Sequence, residues 1–162
     1  MILDKYNNTF NEFITKYEEI HINPWHSIQK EKLMKKKNEL LTTMDVTDVY
    51  SFTYFMKYLI KLLCGTKDTH TIFDMTSRLP INFKIIENEV LINYPTSLKG
   101  NALISINDID IKTILNELDK VVSYGTLGKK QFELEKALFN ELLLFSIPQF
   151  RNTNELIFKM KS

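Results

Sequence analysis

The stretch SLKGNALISINDIDIKTILNEL, Ser97 to Leu118, carries the densest structural grammar of the 162-residue chain. Gly100 opens a turn, and Ala102, Ile104 and Ile106 alternate on one face of a strand. Asn107 and Asp108 then supply a two-residue hairpin turn. Asp110 is placed to cap the helix that follows, whose stripe of Ile111, Ile114, Leu115, Leu118, Val121 and Val122 keeps helical spacing up to Gly125. Just upstream, INFKIIENEVLINY (Ile81 to Tyr94) predicts two strands folded about Glu87-Asn88-Glu89, with Asn88 in the left-handed conformation. Strands and helix in such short alternation point to an α+β architecture.

Outward toward the N-terminus the pattern is helical. Leu3, Tyr6, Phe10, Phe13, Ile14, Tyr17 and Ile20 form one amphipathic stripe, broken at Pro24. Ser27 is a candidate cap for a second helix to about Leu41, and the TTMDVTD run offers caps for a third, from about Asp48 to Cys64, stopped by Gly65. The third helix is apolar around most of its circumference, which makes it the central one. Beyond Gly125, a single helix is expected from about Lys130 to Phe145, with Phe132 turned inward, and ELIFKM (Glu155 to Met160) as a closing strand. That strand has few partners to pair with, so the natural chain is expected to continue past Ser162.

Bulk properties exclude several function classes. With a net charge of +1, no global field draws the chain to nucleic acid. The basic run QKEKLMKKK (Gln29 to Lys37) has no interleaved aromatics and reads as a solvated helix face. Val49 to Cys64, the most apolar window, holds Lys57 and Lys61 and is too short to span a bilayer. MILDKYNNTF is no secretory leader, which leaves the cytoplasm or a secreted chain whose leader was removed. Cys64 is the single cysteine, and His21, His26 and His70 lack helical ligand spacing, so neither a metal nor a cofactor is expected.

Chemistry concentrates in GTKDTHT, Gly65 to Thr71. A neutral imidazole at His70 could accept a hydroxyl proton, with Asp68 to orient it and Thr69 beside it. The plainer reading is a helix-to-strand turn whose threonines bond nearby backbone. No serine sits in a glycine-rich strand–helix turn, and Cys64 at the end of an apolar helix reads as inert core.

Three segments in order, YEEIHINPWHSIQKEKL, FMKYLIKLLCGTKDTHT and LKGNALISINDIDIKTI, resemble the C-terminal processing peptidases, the tail-specific protease and tricorn core group of serine peptidases. The resemblance implies a helical domain over residues 1–68, a three-helix bundle, and a PDZ-like hairpin and helix segment over 69–162 leading into an absent catalytic domain. It implies a peptide or protein substrate. In the tricorn-like branch the position matching His70 is the general base, whereas the tail-specific branch uses a lysine of the catalytic domain. Thr69 and Asp108 stand where the family has glycine, no PDZ-type carboxylate-binding loop precedes the hairpin, and the segment with the nucleophilic serine is missing. The expectation is the N-terminal region of a serine endopeptidase, inactive alone. The rival expectations are a non-catalytic peptide-binding or adaptor module on the same scaffold, and a purely structural domain.

Overall fold

The computed structural model describes residues 2–65, 71, 73, 77–151 and 153–162. Among them are six α-helices and a five-stranded antiparallel sheet, an α+β fold. Three helices come first: α1 (Ile2–Ile20), α2 (Lys30–Thr43) and α3 (Val49–Cys64). The start of α3 is fixed by a reciprocal cap. The Ser51 amide donates to Asp48 Oδ1 at 2.7 Å, and the Asp48 amide donates to Ser51 Oγ at 3.2 Å. Its end is fixed by Gly65, at φ 61°, whose amide returns to Lys61 O. A β-carbon at Gly65 would lie 2.8 Å from Ser27 Oγ, so a side chain there would displace the Ser27 hydroxyl besides straining the backbone at positive φ.

Ser27 therefore has a different role from the expected cap. Its hydroxyl donates to Cys64 O at 3.2 Å, while Gln29 takes the cap position of α2 without a side-chain hydrogen bond. One apolar cluster joins the three helices through Phe10, Ile14 and Tyr17 of α1, Leu33 of α2 and Phe55, Met56, Leu59 and Leu63 of α3. Tyr6 stacks on Phe52 at 4.3 Å and Phe10 meets Phe55 edge-on at 5.9 Å. Ile20, at the end of α1, lies outside this cluster and faces solvent, contrary to the stripe. The basic run is not wholly solvated either. Lys37 is buried, and its ammonium donates to Asn7 Oδ1 and Asn11 Oδ1 at 2.8 and 3.1 Å. Burial holds its pKa below the usual lysine value.

The second cluster lies under the sheet. β1 (Asn82–Ile86) pairs with β2 (Glu89–Tyr94) through a turn in which both Glu87 and Asn88 are left-handed. β3 (Ala102–Ile106) pairs with β4 (Ile109–Asp110) through Asn107 and Asp108, at φ 51° and 61°. Ala102, Ile104 and Ile106 do not share one face as their alternation suggests: Leu103, Ser105 and Ile106 are buried, Ile104 points outward, and the register shifts between Leu103 and Ser105. The terminal strand β5 (Phe158–Lys161) pairs antiparallel with β3. It thus has the partner that the sequence did not reveal. Asn107 guides it there: its Oδ1 accepts from the Ile157 amide at 2.6 Å and its Nδ2 donates to Glu155 O at 2.9 Å.

The remaining helices cover the sheet. Asp110 caps α4 (Ile111–Asp119), accepting from the Lys112 amide at 2.8 Å. This helix stops before Val121 and Val122, although both are buried. The single helix expected from Lys130 to Phe145 is two, α5 (Leu127–Leu138) and α6 (Glu141–Ser146), because the Asn140 side chain caps the second by accepting from the Leu143 amide. Phe132, expected inward, is 55% exposed on the outer face of α5.

One side of α5 covers the free edge of β1 and bonds to it at Ile85. Glu135 is buried, and its Oε1 accepts from the Ile85 amide at 2.9 Å, while Gln131 Nε2 donates to Ile85 O. Farther along, Leu79 donates to Phe139 O and Glu141 to Ser77 O, so residues 77–79 are pinned against the α5–α6 junction. α3 borders both clusters, since Tyr54 is buried in the sheet cluster and Tyr58 packs against each.

Candidate functional site

His70, Asp68 and Thr69 lie outside the described residues, as do residues 72 and 74–76; a short β-like stretch is expected from the sequence over HTIFDM, His70 to Met75, and most of it falls there. Their described neighbour Thr71 is anchored twice. Its hydroxyl lies 3.4 Å from His21 Nε2, and its carbonyl oxygen lies 3.9 Å from Cys64 Sγ. The imidazole of His21 packs on the Tyr17 ring at 3.9 Å between centroids. At 3.4 Å the hydroxyl–imidazole contact is a long hydrogen bond that ties Thr71 to the end of α1. Sequence reasoning passed over His21, which lacked any local motif and meets Thr71 only across 50 residues.

Cys64 is fully buried at the end of α3, so its thiol serves packing, not nucleophilic attack. His26 is exposed and its Nδ1 meets Asn23 O at 3.0 Å. Among the described residues no three His, Cys, Asp or Glu side chains gather in one place, and no helix is long and apolar enough to cross a membrane.

The chain does form a cleft beside Thr71. It holds about 580 Å3 and is bounded by α3, by Thr71, Phe73 and Arg78, by Val121 to Tyr124, and by α5 with the start of α6. Lys57, at its α3 side, donates to Phe73 O at 2.7 Å. Lys136 pairs with Glu133 at 3.0 Å. Near the α4 end a compact charged group braces the wall: Asp119 lies 2.6 Å from Lys130 and 3.6 Å from Lys61, and both ammoniums sit over the Tyr124 ring. Burial pushes the Lys61 pKa down against the pull of Asp119, whereas the Asp119 hydrogen bond raises that of Lys130. The cleft therefore joins three cationic elements with apolar walls from Phe73, Phe139 and Val122.

No family model and no curated protein matches the sequence. Among solved structures, the fold is similar to a crystal structure of a serine-to-alanine mutant of CPAF, with a TM-score of 0.53 and 12% identity. The match covers 98% of this chain and 33% of that one, so the chain spans about a third of that protein's length, and the likeness is one of fold.

Proposed function

We propose that this chain is the N-terminal, helical plus PDZ-like region of a serine peptidase resembling the C-terminal processing family. In that reading His70 is the general base, Asp68 and Thr69 are its neighbours, and the nucleophilic serine lies in a downstream catalytic domain. One observation carries it. The fold of almost the whole chain is similar to one third of CPAF, at a TM-score of 0.53, and this likeness supports the family resemblance carried by the sequence motifs. The region would be inactive alone, because serine attack needs a nucleophile and oxyanion donors besides a base.

The role in substrate access is one of shaping an approach, not of adding a peptide strand at β1. Peptide addition needs free amides and carbonyls along a sheet edge. At Ile85 both groups are taken by Gln131 and Glu135 of α5. The same occupied edge weighs against the rival reading of a PDZ-type peptide-binding module at this position. In the native gene product, His70→Ala should lower peptidase turnover by ~100-fold or more. Unchanged turnover would remove His70 from the mechanism.

A further inference from the structure

We propose that the cleft between α3 and α5 binds an acidic peptide segment, gripped through Arg78 and Lys129. Four cations line the cleft, Lys57, Arg78, Lys129 and Lys136, against the single carboxylate of Glu133 among the described residues. Two of the four are already engaged, Lys57 by the Phe73 carbonyl and Lys136 by Glu133. Arg78 and Lys129 are exposed, and their side chains have no partner among the described residues. They belong to segments far apart in sequence that the fold brings to one opening.

A guanidinium offers a planar pair of donors matched to a carboxylate, and a neighbouring ammonium adds a point charge that accepts a second one. The volume, about 580 Å3, lies within the range of small-ligand sites, roughly 300–1,000 Å3. A peptide fits the lining better than a bare anion does. Phe139 and Val122 give aliphatic side chains an apolar wall, from which citrate or phosphate gains nothing. The inference rests on the peptidase reading only for the choice of a peptide as occupant. Its charge preference comes from the cleft itself.

The test uses the whole chain and a fluorescein-labelled peptide alternating glutamate and leucine, acetylated and amidated so that no terminal carboxylate contributes. Fluorescence anisotropy should show saturable binding that weakens as salt is added. Replacing the glutamates by lysine should abolish it. The pair Arg78→Glu and Lys129→Glu should weaken affinity about tenfold or more, the loss expected of two charge-assisted contacts. Lys32→Glu with Lys35→Glu, on the exposed face of α2, should change it by less than about twofold, the range of surface charge effects. If the charge-reversed cleft variant does not fold, Arg78→Gln with Lys129→Gln gives the same direction at two exposed positions. Absence of saturable binding would overturn the proposal, as would equal losses from the two pairs. Citrate competing as strongly as the peptide would overturn the assignment of a peptide. His70→Ala should keep full affinity, so this result stands whether or not the peptidase reading does.

Discussion

Glu135→Ala is the perturbation that most directly probes how the sheet edge is closed. The carboxylate is 6% exposed, and its Oε1 receives the Ile85 amide at 2.9 Å while Oε2 receives Lys84 Nζ at 3.0 Å. Lys84 is 53% exposed, so that ion pair contributes at most about 1 kcal/mol. The amide bond matters more. Its loss leaves a buried N–H without an acceptor, which costs roughly 1–3 kcal/mol. The sum is about 1–4 kcal/mol, and at about 2–4 °C per kcal/mol for a chain of this size that lowers the melting temperature by roughly 2–16 °C. Glu135→Gln keeps a side-chain acceptor at the same reach and should cost about 1 kcal/mol or less. Urea unfolding followed by circular dichroism measures both differences. Amide exchange at Ile85 reads the bond itself and should accelerate in the alanine variant beyond what the global loss explains. A loss below about 0.5 kcal/mol, with Ile85 exchange unchanged relative to its neighbours, would refute the claim that α5 satisfies this edge.

Further outcomes are equally specific. Asp48→Ala removes the reciprocal cap of α3 and should cost about 1 kcal/mol in urea unfolding, with Asp48→Asn largely preserving stability. Burial raises the Tyr54 pKa to about 12, above its unfolded value of 10.0. The unfolded chain then loses that proton first, so stability present below pH 10 falls as pH climbs toward 12, by on the order of 2 kcal/mol. Tyr54→Phe should flatten this decline, and an identical decline in both proteins would discard the assignment. Asp108→Gly should stabilise the chain by about 0.5–1 kcal/mol, because it relieves a left-handed non-glycine residue at φ 61° without removing a side-chain hydrogen bond. A shift in the opposite direction in thermal melts would show that Asp108 makes a contribution beyond its backbone.

Features governed by neighbours in sequence were readable in advance. The stop at Gly65, the Asn107-Asp108 turn and the Asp110 cap each depend on a few adjacent residues, and each stands where the sequence placed it; the TTMDVTD run holds the cap of α3, at Asp48 among its several candidates. Errors arose where a distant partner decides. No glycine or proline marks the break between α5 and α6; it follows from Asn140 turning its side chain to cap α6, while its backbone bridges to Arg78. Ile104 and Leu103 are both apolar, so alternation could not say which faces the core; the pairing of β3 with β5 decides it. Lys37 reads as surface charge until two asparagines of α1 are seen to receive it. The cleft was invisible for the same reason, as its cations come from α3, the residues before β1, and α5. The motif that prompted the catalytic reading, Asp68 to His70, lies outside the described residues, so that part of the site stays with the sequence and the proposed experiment.

The position of α3 has a consequence for anyone who would dissect this chain. Its side with Phe55, Leu59 and Leu63 belongs to one interior and its Tyr54 edge to the other. A truncated polypeptide ending at Gly65 would hold its helices together yet present a tacky, aromatic flank to water, and the complementary piece would lack a floor. Solubility of either portion by itself would be poor, and both halves should melt as one event, since a single rod serves as the shared beam of two rooms.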